Sequence, residues 1–153
     1  MDKDAKYMKI AEAVAGLSKD PSTQVGAVII GPTQEVRSLG YNGAPRGCSA
    51  DEPGDARGEA RPEKYFWFSH AEANAVTNAA RVGTPLDGST LVVTHFPCMD
   101  CARLIVQAGI RRVVTNVPSA EFEYRWAAHI SRAVRLFQEC GVSVEFVHDA
   151  PES

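Results

Sequence analysis

The sequence predicts an α/β fold, a three-layer α/β/α sandwich built around a five-stranded mixed sheet. Three observations predict it. Short β-branched runs alternate with helical stretches in the second half of the chain, and strands separated by helices pair in parallel through right-handed crossovers. Two strand-like runs near the front, 25–30 and 36–41, are joined by a short turn-rich segment, which makes them a hairpin and the sheet mixed. Finally, 153 residues with 44% hydrophobic content supply one real core, because a domain of this size buries roughly 70% of its unfolded surface. One domain over residues 1–153 is expected, and no metal is needed merely to hold it together.

The elements follow in order. Tyr7, Ile10, Ala11, Val14 and Leu17 recur at helical spacing, and Asp20-Pro21-Ser22 closes that first helix. Val25 to Ile30 is short, β-branched and bounded by Gly31-Pro32, a buried strand whose partner is Val36 to Tyr41. Asn42 to Lys64 is rich in Gly, Pro, Asp, Arg and Glu and has no period. Loops that long in compact domains are usually functional or disordered. An Ala-rich helix over 69–81 leads through a turn at 83–88 to a strand at 90–94. Pro97 opens a helix that Gly109 stops, Val113 and Val114 mark a fourth strand, 122–139 reads as a long amphipathic helix, and 142–147 is the fifth strand.

Charge narrows the partners. Sixteen Lys and Arg against nineteen Asp and Glu give a net charge of -3, whereas polynucleotide binders usually carry a basic excess. No nucleic acid polymer is expected, and the weight falls on a small-molecule ligand. The charged N-terminus has no apolar stretch behind it long enough for a signal peptide or membrane span. A reducing cytoplasm is therefore the expected compartment, where four cysteines are better read as thiols or metal ligands than as disulfides.

Two segments carry chemistry: Ser69-His70-Ala71-Glu72 and Phe96-Pro97-Cys98-Met99-Asp100-Cys101, each at a predicted helix start. Cysteines three apart on a first helical turn share a face, and helix N-termini favour the thiolate. Two thiolates and one imidazole form a catalytic Zn2+ set that leaves the fourth position open. Because two thiolates offset the metal's charge, a nearby carboxylate is needed to take a proton from water, and Glu72 is the candidate. Residues two apart do not share a face inside a helix, so His70 or Glu72 must sit at an irregular first turn. The spaced pattern His-x-Glu with Pro-Cys-x-x-Cys is the signature of zinc deaminases, in which the Glu carries protons and is not a ligand.

With these residues in view the chain resembles the cytidine/deoxycytidylate deaminase superfamily, and within it the deoxycytidylate (dCMP) deaminases. The likeness runs from Ser18 to about Val144. It includes Ser18-Lys19-Asp20-Pro21-Ser22-Thr23-Gln24-Val25-Gly26, Gly40-Tyr41-Asn42-Gly43-Ala44-Pro45-Arg46-Gly47-Cys48, Glu63-Lys64-Tyr65 and His70-Ala71-Glu72-Ala73-Asn74-Ala75. Phe96 before the Pro-Cys pair resembles dCMP deaminases, whereas tRNA adenosine deaminases tend to carry Glu there.

The resemblance implies a cytidine deaminase-like fold with one catalytic Zn2+ on His70, Cys98 and Cys101 and Glu72 as proton shuttle. It implies that Asn42 bonds the deoxyribose and that backbone at Ala71 and Cys98 meets the base. It also implies a homo-oligomer, often a hexamer, and dCTP and dTTP effectors near Gly43, Arg46 and Arg81, with Mg2+ accompanying the regulatory nucleotide. The expected reaction is hydrolysis of dCMP to dUMP and ammonia. The alternatives are a 5-substituted dCMP, cytidine or deoxycytidine, or a modified purine nucleotide. Asn116 to Trp126 departs from the dCMP enzymes' pattern; Lys19, Ser22, Arg46, Lys64 and Arg125 are the candidates for phosphate contact.

Plainer readings stand beside these. Ser69-x-x-Glu72 fits a capping box. A structural zinc site would be closed by a fourth ligand, for which Cys48, Cys140 and His95 are available. Asn42-Gly43 fits a tight turn. Tyr65-Phe66-Trp67-Phe68 is expected in the core or a subunit interface, and Arg111-Arg112 in a solvated turn.

Overall fold

The computed structural model describes residues 2–147, and within them the sheet has the order β2-β1-β3-β4-β5. The hairpin strands β1 (Gly26–Ile30) and β2 (Val36–Tyr41) are antiparallel, and β1 also pairs antiparallel with β3 (Thr90–Val93). β4 (Arg112–Asn116) and β5 (Ser143–Val147) then continue in parallel from β3. The mixed five-stranded sheet expected from the sequence is thus present. One end of the predicted 1–153 domain, His148 to Ser153, lies outside the described residues, as does Met1.

Alternation along β1 divides the core into two layers, because successive strand side chains point to opposite faces. Ala27 and Ile29 face α4 (Ala71–Val82), α5 (Met99–Gln107) and α6 (Ala120–Cys140), together with Ala75, Ile105, Ala133 and Phe137. Val28 and Ile30 face the other way, onto Met8 and Ala11 of α1 (Lys3–Ala15). α1 starts four residues earlier than its apolar spacing suggests, because the Asp2 carboxylate caps it by accepting from Ala5 N–H at 2.9 Å.

Two glycines set how closely helices approach the sheet. A Cβ at Gly26 would lie 2.0 Å from the Ala11 carbonyl of α1, and one at Gly40 would lie 2.3 Å from the Ala71 carbonyl and 2.4 Å from Ala75 N. Gly40 therefore lets the first turn of α4 lie directly on β2. Arg112 is in β4 and not in a solvated turn: it pairs with Asp4 of α1 and with Glu145 of β5 at 2.9 Å. The aperiodic stretch before α4 contains two single-turn helices, α2 (Ala56–Glu59) and α3 (Lys64–Trp67).

Candidate active site

Both ligand-bearing segments open helices at the carboxyl side of the strands. His70 is the N-cap of α4 with extended backbone (φ -78, ψ 156), while Glu72 is inside the first turn. That break in helical geometry lets residues two apart serve one site. The capping box does not form: Ser69 N–H donates to the Gly43 carbonyl at 2.8 Å and Gly43 N–H to the Ser69 carbonyl at 3.1 Å. This bridge joins the Asn42-Gly43 loop to the start of α4. Neither Asn42 nor Gly43 has positive φ, so the pair is not a primed hairpin turn.

Cys98 is the N-cap of α5 and Cys101 lies in its first turn. Cys98 Sγ is 3.3 Å and Cys101 Sγ 3.4 Å from His70 Nδ1, and the three ligand atoms lie within 4.8 Å of one another. Zinc–sulfur and zinc–nitrogen bonds of about 2.3 and 2.1 Å at a tetrahedral angle span ~3.6 Å, so the three donors fit a Zn2+ ion with little adjustment. No other Cys, His, Asp or Glu joins this cluster among the described residues. His95 turns Nδ1 to Thr94 Oγ1 at 3.1 Å, and Cys48 lies beside Arg57. The closed, four-ligand structural site is not what these side chains build.

Electrostatics favour the same arrangement. A hydrogen bond from Cys101, and then His70, draws the Cys98 thiol well below its usual range, while bonding to Cys98 and burial push Cys101 up. Hydrogen bonding to Cys98, opposed by burial, holds His70 at about 9. Zn2+ binding needs both sulfurs as thiolates and the imidazole neutral, so it is coupled to proton release from this cluster. Glu72 is 4% exposed, and burial pushes its carboxyl up to about 7. A carboxyl near neutrality can both take and give a proton, although a divalent cation beside it would pull the value down.

The cavity above the cluster is lined by Asn42, Ala71, Phe96, Phe122, Arg125 and Trp126, among others. The Asn42 amide is largely committed: Oδ1 accepts from Val25 N–H at 2.9 Å, and Nδ2 donates to the Thr23 carbonyl at 2.9 Å and to Asp20 at 3.3 Å. One Oδ1 lone pair is left for a ligand hydroxyl. Lys64 also lines the cavity, but its ammonium donates to both Asp20 oxygens, at 2.9 and 3.0 Å, and to Ser22 Oγ at 2.7 Å. Those bonds match its three donors.

Lys19 and Ser22 do not line the cavity; Lys19 is exposed and pairs with Glu52 at 2.7 Å. The aromatic run is not in the core. Phe66 is 80% exposed, and Tyr65 and Phe68 line the cavity, because a single turn cannot bury all of its sides. Cavity residues that escaped sequence reasoning include Arg61, Phe122 and Trp126. Arg61 lies in the aperiodic stretch, and Trp126 gave no signal beyond lying in a divergent segment. His95, weighed only as a ligand, is instead cavity wall, its imidazole kept below its usual value by burial and by Arg125.

Comparison with known proteins decides the family. Residues 1–117 match the model of the cytidine and deoxycytidylate deaminase zinc-binding region. The chain belongs to that family. This deaminase is 40% identical over 142 residues to the uncharacterized deaminase in the luxG 3' region of Aliivibrio fischeri, covering 93% of this chain and 91% of that one. It is 42% identical over 110 residues to the deoxycytidylate deaminase of Homo sapiens, covering 71% of this chain and 61% of that protein. Its fold superposes on a dCMP deaminase from the cyanophage S-TIM5, solved in complex with dCMP and dUMP, with TM-score 0.73. That match is 29% identical and covers 96% of this deaminase and 99% of the cyanophage chain. Among the described residues, no helix is long and apolar enough to cross a membrane.

Proposed function

We propose that this chain hydrolyses dCMP to dUMP and ammonia, with Zn2+ held by His70, Cys98 and Cys101. The observation that carries the reading is a buried carboxylate, Glu72, two residues from His70 and beside a His70, Cys98 and Cys101 cluster that no fourth Cys, His, Asp or Glu joins among the described residues. When bound, zinc supplies the Lewis acidity that makes water a nucleophile near neutral pH. Glu72 takes a proton from that water as its oxygen adds to C4 of the base, and delivers the proton to N3. A second proton, from the new C4 hydroxyl, travels through the same carboxylate to the amino group. The C4–N bond then breaks, ammonia leaves, and C4 becomes a carbonyl.

The monophosphate preference is supported by Arg61 and Arg125. Both line the cavity, and neither is in an ion pair among the described residues. Asn42 would accept from the sugar hydroxyl, Phe96 and Phe122 would flank the base, and backbone at Ala71 and Cys98 would orient it. We further assign dCTP and dTTP effectors, with Mg2+, to Gly43, Arg46 and Arg81, in a homo-hexamer. In support, Arg46 donates to Asn78 of α4 at 2.6 Å, one helical turn from Arg81.

The test is an absorbance assay of the purified enzyme on dCMP, deoxycytidine, cytidine and 5-methyl-dCMP, with and without dCTP and dTTP. dCMP should be turned over at least tenfold faster than deoxycytidine at low substrate. Equal rates would defeat the monophosphate reading.

A further inference from the structure

The metal helix is capped from a distance. Cys98, the N-cap of α5, offers no side-chain bond to the free N–H groups of the helix start. The first of those groups, Met99 N–H, donates instead to Nδ1 of His129 on α6, at 2.9 Å. On the other side of the same peptide, the Cys98 carbonyl accepts from Ala102 N–H at 2.8 Å. Because a peptide is planar, these two bonds hold the Cys98–Met99 unit at both ends. They thereby fix the backbone angle, ψ 172, that carries the Cys98 sulfur toward His70.

His129 is itself held in place. Its ring meets Trp126 edge-on, centroids 5.3 Å apart and planes at 72°. Trp126 leaves helical geometry within α6 (φ -111, ψ 16), lines the cavity and packs on Tyr65 at 5.9 Å and Phe122 at 6.2 Å. For Nδ1 to accept, the imidazole must carry its proton on Nε2. The side chain therefore supplies one lone pair, at one point, to the backbone of a metal ligand.

We infer that His129 is a positioning residue for the metal centre, acting through its acceptor on Met99 N–H and not through ring packing alone. The inference rests on the zinc deaminase reading. Groups that orient metal ligands typically change metal affinity or activity 10–100-fold when removed.

The experiment compares zinc-loaded parent enzyme with H129F, which keeps a ring against Trp126 but has no acceptor, and H129N, whose Oδ1 takes the place of Nδ1. Zinc release into excess EDTA is followed alongside kcat and KM for dCMP. H129F should release zinc about tenfold faster or more and lose about tenfold in kcat, with KM within twofold; H129N should stay within threefold of the parent on every measure. H129L is the second acceptor-free variant should H129F fail to fold, and the same result is expected of it. Release from the acceptor-free variant at the parent rate would overturn the inference, and so would H129N being as impaired as H129F. A parent enzyme that held no zinc would instead overturn the functional reading.

Discussion

Lys64→Met should destabilise the enzyme more than any loss of packing volume would explain. The side chains of Lys64 and Asp20 are 6% and 3% exposed, and their charges meet at 2.9 Å. Removing the ammonium leaves the Asp20 carboxylate with Ser22 N–H at 2.8 Å, Ser22 Oγ–H at 3.0 Å, Thr23 N–H at 3.1 Å and Asn42 Nδ2 at 3.3 Å, but with no counter-charge. Breaking one side of a buried pair costs ~3–5 kcal/mol. At ~2–4 °C per kcal/mol for a chain of this size, Tm should fall by about 6–20 °C.

The D20N/K64M double variant should recover part of that loss, because no buried charge is then orphaned. Burial raises the Asp20 pKa, but the hydrogen bonds from Ser22, Lys64 and Thr23 outweigh it, and the net shift is downward. A depressed carboxyl contributes stability above its unfolded pKa, about 3.9, and loses it as pH falls through the lower folded value. Without Lys64 the folded Asp20 pKa moves upward, so K64M takes up the proton first as pH falls, and the gap between parent and K64M should narrow toward acid. Calorimetric melts of parent, both single variants and the double across pH 3 to 7 would measure this. A K64M protein melting within about 2 °C of the parent at pH 7 would refute the reasoning.

Other perturbations address the chemistry. Glu72→Gln should lower kcat by ~10²–10⁴-fold while zinc content, measured by atomic absorption, stays near one per chain; parent-level turnover would remove Glu72 from the mechanism. Prolonged chelation should abolish activity but leave the far-UV circular dichroism intact, since the core does not depend on the metal; unfolding on chelation would make the zinc structural. Arg125→Gln should raise KM for dCMP by about tenfold without changing kcat/KM for deoxycytidine, and an equal loss on both substrates would deny it a phosphate role. Gly40→Ala forces a Cβ to within 2.3 Å of the Ala71 carbonyl, so it should cost ~1–3 kcal/mol and displace His70 and Glu72; an unchanged melt and kcat would contradict that.

The sequence by itself determined the order of the strands and of the four long helices, but not the single-turn α2 and α3, and it picked out the His70, Cys98 and Cys101 set. β1 is a β-branched run closed by Gly31-Pro32, and Cys98 and Cys101 needed only three-residue spacing at a helix start to share a face. These features are local, so periodicity and spacing encode them.

The tertiary structure decided what depends on distant partners. Ser69-Glu72 is no capping box because Gly43, far off in sequence, takes the Ser69 N–H. Lys64, a candidate for phosphate, is committed because Asp20 and Ser22 surround it. His129 touches the metal helix only because α6 packs on α5, and Arg61 and Arg125 share a cavity only once the two segments fold together. A hydrogen bond or a pair of like charges between residues far apart in the chain leaves no trace in spacing, since folding alone brings the groups within reach.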